Sequence, residues 1–489
     1  MKKLKMVTVA IAALFTGAAF AEDLVLTGAY PVTVASGTTT TISDKITGTG
    51  PLVVLGGGTV VLNNGDNDFT GGIIVSNGIV RADAAGSLGS GPISLEGGAT
   101  LRQVRFNANN ATFNNSITLK DTTTTANNPG ILALKSVTLN GTIAIDPDTP
   151  GIADCYLFIQ SGESGNTSPK ITMNGDMISK EGRVQLYSYG NMRINGRIDV
   201  KRMYFGGGFA INGTIQLANP SNAIYAAQLY AADVSCLDTN VLRNCQLEFA
   251  FNSQWGANGH GFLSLNGHDQ VFSVLRSKDN TLASTAYACG ISTSAALPAT
   301  ITVNGYGTTG NTYNYMQCRL SGPISLVIDG KVEDGRLYQG INRRAHMGTG
   351  TVEVCTGTFR CIKGATLQGI TNVIVRSGAA FDLNAVTNVF SALKNIVIEG
   401  TGRFFSDTDC LTPVNCPHAD LIMDEDSFFQ VRKGVTNTVD HLIIGGKEVK
   451  AGTYTYETLP QMRYASNPTY FGGALIVRRH HRGMVVKFR

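Results

Sequence analysis

The densest acidic spots in the chain are Asp424-Glu425-Asp426 and Asp407-Thr408-Asp409. The second lies beside Cys410, Cys416, His418 and Asp420, a mixture of carboxylate, thiolate and imidazole donors of the kind that holds a divalent metal. Their spacings match no established zinc or calcium ligand pattern. The reading is therefore an acidic exposed turn and a surface loop closed by a short disulfide. Asp146-Pro147-Asp148 is a further acidic pair, but proline between two acids marks a turn. Sugar hydrolysis needs two carboxylates at a separation that the fold sets, which spacing alone does not give. Trp255, His260 and His268 would suit a sugar groove. A lone Trp in Asn252-Ser-Gln-Trp255-Gly-Ala-Asn-Gly259 reads instead as a loop residue packing back on the fold. No G-x-S-x-G elbow, P-loop or H-E-x-x-H occurs. We expect no catalytic, cofactor-binding or metal-ligating residue, and no cofactor.

Nine cysteines suit an oxidising compartment. Three pairs lie close in sequence, Cys236 with Cys245, Cys355 with Cys361 and Cys410 with Cys416, and are candidates for short disulfide staples. Cys155, Cys289 and Cys318 remain, so at least one thiol is unpaired or intermolecular. Connectivity is not deducible from spacing. No C-x-x-C occurs, which excludes zinc-ribbon and thioredoxin spacings.

The N-terminus reads as a secretion signal over 1–21. Lys2, Lys3 and Lys5 precede an apolar run from Met6 to Phe15, and Ala19-Phe20-Ala21 supplies the small-x-small pattern for cleavage between Ala21 and Glu22. The apolar run is short of the roughly 20 residues a spanning helix needs. No later stretch reaches that length without charge or glycine, so the mature chain is expected to lack a transmembrane segment. Lys and Arg total 39 against 35 Asp and Glu, which argues against a nucleic-acid binder. The basic end (Arg478, Arg479, His480, His481, Arg482, Lys487, Arg489) reads as a solvated terminus, with contact to an acidic polymer as the alternative.

The elements that position these residues are short strands. Glycine is 57 of the 489 residues, and runs of four to six β-formers alternate with Gly, Asn, Asp or Ser from Leu24 onward. Ser221–Ala232 and Ala385–Leu393 are the stretches that would hold a helical turn or two. Four segments share the pattern apolar-x-apolar-Asn-Gly-x-apolar: Val137–Ile143, Ile171–Met177, Met192–Ile198 and Phe209–Ile215. Asn-Gly between alternating apolar residues is also a hairpin signal, so antiparallel hairpins in a sandwich are the rival reading. The recurrence at coil-sized spacings favours a β-solenoid, because one copy buries too little apolar surface until a neighbour stacks on it. At about 20–25 residues per coil, on the order of 20 coils follow. The expected organisation is a solenoid over 22–439 and a closing segment over 440–489.

Residues 48–101 carry a more specific pattern: Gly48-Thr-Gly-Pro-Leu-Val-Val-Leu-Gly56, then Gly58-Thr-Val-Val-Leu-Asn-Asn-Gly65-Asp-Asn67-Asp-Phe69-Thr-Gly71-Gly72-Ile-Ile-Val-Ser-Asn-Gly78-Ile-Val80, then Gly86-Ser-Leu-Gly-Ser-Gly91. This resembles the autotransporter-associated β-strand repeat of bacterial passenger domains. Ile73 replaces the usual Thr after the Gly-Gly pair, and Ser87 replaces the Ala of the corner. The resemblance implies an all-β, right-handed parallel β-helix at or beyond the cell surface, and no catalytic residue. The translocator barrel of a self-exporting autotransporter is not visible, so delivery by the general pathway or a separate secretion system is expected. The functional expectation is a non-enzymatic surface or secreted protein, adhesive or envelope-structural, whose partner is an unidentified surface glycan or protein. It would lie outside the cell, on the outer membrane surface or in the periplasm. The alternative is a carbohydrate-active β-helix enzyme, a polysaccharide lyase or glycosidase, on fold-level analogy alone. Oligomeric state is not legible.

Overall fold

The computed structural model describes residues 23–97, 101–120, 129–146, 156–163, 167–206, 213–229, 232–249, 261–277, 290–305, 314–316, 319–330, 338–341, 348–361, 367–383, 390–406, 415–462 and 472–479. Among these the structure is all-β, with one short 3-10 turn at Pro460–Met462. The fold is a parallel β-solenoid, and the chain divides into two compact units, Met1–Gly196 and Arg197–Arg489.

In the first unit each strand pairs in parallel with one a coil later. Leu52 faces Ile73, Ile73 faces Ile93, Ile93 faces Ile117, Ile117 faces Ile143 and Ile143 faces Met177. A second column runs Val60, Val80, Val104, Ile131, Ile159 and Leu186. All of these side chains are buried. The cause is strand alternation: successive side chains point to opposite faces, and coil-on-coil pairing stacks every inward residue on its equivalent. Each buried Val, Leu or Ile contributes about 1.5–3 kcal/mol that one isolated coil would not gain.

The Asn-Gly motif is a solenoid corner and not a hairpin. Val137–Leu139 pairs in parallel with Ala111–Phe113 on one side and with Ile171–Met173 on the other, and Lys170–Met173 pairs in parallel with Asn191–Ile194. The glycine is required by close approach. A Cβ on Gly175 would run into the carbonyl of Gly141, and one on Gly196 into the carbonyl of Gly175. Asn212 of the fourth copy lies outside the described residues.

The second unit repeats the logic with larger side chains. Ile301, Leu326, Val352, Val373, Ile396, Leu421 and Leu442 form one inward column. Beside it runs an aromatic column, Phe359, Phe381, Phe404 and Phe429, with consecutive ring centroids 5.4, 5.1 and 5.1 Å apart. The helical turns expected in Ser221–Ala232 do not form. Ala223–Leu229 is a strand, because Ile224, Ala227 and Leu229 stack on Val200, Met203 and Phe205 of the preceding coil. That burial outweighs the local preference of an alanine-rich stretch. Residues 384–389 of the other candidate stretch lie outside the described residues. In one sheet parallel pairing continues through Leu442–Ile444, where antiparallel closure begins against Lys447–Glu448; in another, Ala474–Val477 still pairs in parallel with Thr436–Val439. Gly452–Tyr454 against Ala474–Val477 completes the antiparallel closure.

Candidate functional site

Inward residues make the core, so chemistry available to a partner lies on the outward positions of the same strands. In the first unit Thr112, Thr138, Thr172 and Arg193 are in register on successive coils. Two residues on from each stands an asparagine, and these form a ladder: Asn140 Nδ2 donates to Asn114 Oδ1 at 2.8 Å, Asn174 to Asn140 at 2.9 Å, and Asn195 to Asn174 at 2.8 Å. Asparagine suits this position because its amide donates and accepts at once, so identical side chains stacked in register satisfy one another. One N–H of each amide is used per rung, and Asn140 and Asn174 present the rest of their amides at an exposed edge. The row offers hydroxyls and amides at coil spacing and no nucleophile.

Charged outward rows are locked in the same way. Arg81 forms a two-point pair with Asp83 at 2.7 and 2.8 Å, and Asn107 of the next coil donates to the same carboxylate at 3.1 Å. Burial alone would raise the Asp83 carboxyl, but the Arg81 and Asn107 hydrogen bonds bring it below the usual value. Glu248 accepts from Gln228 one coil before it at 2.7 Å and from Arg276 one coil after it at 2.9 Å. Arg376 bridges Glu353 and Glu399, each at 2.7 Å, and hydrogen bonds to both acids raise its guanidinium further. Arg360 binds Asp382 at 2.6 Å. Carboxylates held by cations on neighbouring coils act as ladder rungs. A general acid for glycoside cleavage needs the opposite, a raised carboxyl free to meet substrate.

The residues singled out by spacing disperse. Asp424-Glu425-Asp426 is a turn: Asp424 Oδ2 accepts from the backbone N–H of Gly400 at 2.8 Å, while Glu425 and Asp426 are exposed. His418 is exposed and Cys416 buried. Asp420 meets neither; it contacts His441 Nδ1 at 2.8 Å. Asp146 follows the strand Ile143–Ile145. His268 sits in the turn before Gln270. Asp148, Asp407, Asp409, Cys410, Trp255, His260, and the cleavage pair Ala21 and Glu22 lie outside the described residues. So do Cys155, Cys289, Cys318 and the basic end beyond Arg479. Arg478 is exposed, and its Nη1 donates to the carbonyl of Pro417 at 3.0 Å.

Among the described residues the Cys236–Cys245 staple is not formed and Cys355 is a free thiol, while Cys410 of the expected staple with Cys416 lies outside the described residues. Cys236 and Cys245 are buried free thiols, and burial raises both. They close one strand and open the next, Asp233–Cys236 and Cys245–Phe249, in different sheets. Cys355 is also a free thiol, 3.6 Å from Glu353 Oε1, and is pushed up to about 11 by burial and then by the nearby Glu353 and Asp329 carboxylates.

Spacing missed the residues that tie coils together from inside. Asn67 accepts from Ile46 N–H at 2.8 Å and donates to the carbonyl of Ser87 at 2.7 Å, so one buried amide spans three coils. Asn222 does the same between Ile198 and Val241. The signal was present in one case, because Asn67 is the asparagine of the Asn-x-Phe-Thr-Gly-Gly run. Phe69 of that run is fully buried, and a Cβ on Gly89 one coil later would strike its ring. The repeat's Asn, Phe and Gly are thus packing and bonding requirements of stacked coils.

No family model matches the chain, and no solved structure matches it. Over 73 residues, 15% of this chain, it is 45% identical to the adhesin BmaC autotransporter of Brucella suis biovar 1 (strain 1330). The chain spans 2% of the length of that relative. No helix among the described residues is long and apolar enough to cross a membrane, a finding that does not bear on β-barrels. With its coil-bridging Asn67 and its stacked Gly corners, the chain is a parallel β-solenoid that is similar over 73 residues to an autotransporter adhesin.

Proposed function

We propose that this chain is an exported bacterial surface protein whose solenoid acts in adhesion or as an element of the envelope, without a catalytic role. The observation that carries the reading is the 73-residue likeness to an autotransporter adhesin. The ladders are consistent with it: rows of Thr and Asn repeat at coil spacing, and Glu248, Glu353, Asp382 and Glu399 are tied to arginines on adjacent coils. Such a surface presents many weak, equivalent hydrogen-bonding groups, which suits multivalent capture of a glycan or protein better than turnover of one bond. Export rests on the n-region Lys2, Lys3 and Lys5, the apolar run behind it and the Ala19-Phe20-Ala21 site. No cofactor or nucleic acid is required.

The test compares a deletion strain with its complement for attachment to immobilised glycans and matrix proteins, with antibody labelling of intact cells. Labelled intact cells, loss of attachment on deletion and a mature N-terminus at Glu22 are the expected results. Retention of the chain in the cytoplasm, or saturable polysaccharide turnover abolished by a single carboxylate substitution, would overturn the reading.

A further inference from the structure

At the last parallel coils three metal-binding side chains meet that no sequence motif joins. Asp420 opens the strand Asp420–Met423, and Asp440 and His441 form the corner entering Leu442–Ile444, one coil later. His441 Nδ1 lies 2.8 Å from Asp420 Oδ1 and 3.8 Å from Asp440 Oδ2. One donor atom from each residue falls within 4.8 Å of the others. His441 is 6% exposed and Asp440 7%.

A proton does not satisfy this arrangement. Nδ1 carries at most one hydrogen, and at 3.8 Å Asp440 Oδ2 is beyond hydrogen-bond range of that nitrogen, so one proton cannot join all three side chains. Arg479 approaches Asp440 from the outer side, its Nε 3.3 Å from Asp440 Oδ1. That contact is not a hydrogen bond, and the buried Oδ1 receives none. Arg479 engages one oxygen and leaves Oδ2 turned towards His441, which fixes Asp440 as a one-oxygen ligand.

We infer that Asp420, Asp440 and His441 bind a divalent transition ion of the zinc class, which fastens the closing coil of the solenoid. One imidazole with two carboxylates is a borderline donor set that suits Zn2+, whereas Ca2+ and Mg2+ favour all-oxygen shells. The ion replaces the proton between His441 and Asp420 and draws Asp440 into the same shell. Three protein ligands leave a position for water on the side where Asp420 is partly open. Because the ligands span two coils and Arg479 follows the last strand, the bound ion ties the C-terminal strands to the stack.

The test uses the full chain, stripped with chelator and titrated with ZnCl2, and with CaCl2 as a comparison. Zn2+ is expected to bind in preference to Ca2+ and to raise the thermal midpoint. His441→Gln and Asp440→Asn are each expected to weaken one zinc site at least tenfold, while Glu425→Gln in the exposed turn leaves it unchanged. Equal zinc affinity in the wild type and both variants would overturn the assignment. X-ray absorption on the zinc-loaded wild type needs no variant: nitrogen and oxygen neighbours at about 2.0–2.2 Å support the site, and sulfur at about 2.3 Å assigns the metal to cysteines and overturns it.

Discussion

The side-chain amide of Asn67 donates to the backbone carbonyl of Ser87 at 2.7 Å, one coil further along the chain, and both residues are buried. With Ile46 N–H bonded to its oxygen, Asn67 stitches three coils through one side chain. Replacing it by alanine leaves a buried N–H and a buried carbonyl without partners. Asn67→Ala should cost about 3 kcal/mol, from two groups at about 1–3 kcal/mol each. Asn63→Ala, an exposed neighbour, should cost under about 0.5 kcal/mol. Chemical denaturation gives the difference, and hydrogen exchange should accelerate at the Ile46 amide.

Glycine corners separate two physical costs. Gly378 has φ +80° and open space around the position of a Cβ, so Gly378→Ala bears only backbone strain, about 1–2 kcal/mol. Gly72 also has φ +80°, but a Cβ there would strike the carbonyl of Pro92 on the next coil. Gly72→Ala should therefore cost at least about 3 kcal/mol, strain and overpacking together. Equal losses in the two variants would show that stacking does not enforce the glycine.

The thiols give a direct reading of covalent structure. Alkylation in denaturant without reductant should modify Cys236, Cys245 and Cys355, because each is a thiol in the fold. Alkylation of the native chain near pH 8 should spare Cys236 and Cys245, which burial keeps protonated and out of reach. Site-resolved mass spectrometry distinguishes this from disulfide staples, which would block the same residues in denaturant.

Asp83 sets a pH dependence. Its carboxyl lies below the ordinary value of about 3.9 in the fold, so the folded state binds that proton less readily than the unfolded chain. Its stabilising contribution is thus fully present above about pH 4 and is lost as pH falls through the lower folded value. The stability difference between wild type and Asp83→Asn should be constant from pH 7 to about 4 and shrink below that. A difference that grows on acidification would contradict the Arg81–Asp83–Asn107 geometry.

Much of the fold was legible because one coil resembles the next. Short β-forming runs, Gly corners and the repeated apolar-x-apolar-Asn-Gly pattern encode stacking directly, and the parallel pairing of Val137–Leu139 with Ile171–Met173 resolves the hairpin alternative. Asn114 was missed because Asn115 stands where the other copies have glycine, though its amide is the first rung of the ladder. Ser221–Ala232 allowed a helical turn or two because its local composition says little about Val200, Met203 and Phe205 one coil earlier, on which Ala223–Leu229 stacks as a strand. Asp420 was grouped with Cys416 and His418, its neighbours in sequence, but a solenoid brings together residues about one coil apart, and His441 lies 21 positions on. Sites in such a fold follow the coil period and escape short-range motif searches.

The most direct test of the account is the adhesion of beads coated with the mature chain to immobilised surface glycans and matrix proteins under shear. The account predicts retention well above albumin-coated beads and its loss when the coating protein is unfolded beforehand. Retention no greater than albumin on every surface, with the folded solenoid intact, would contradict it.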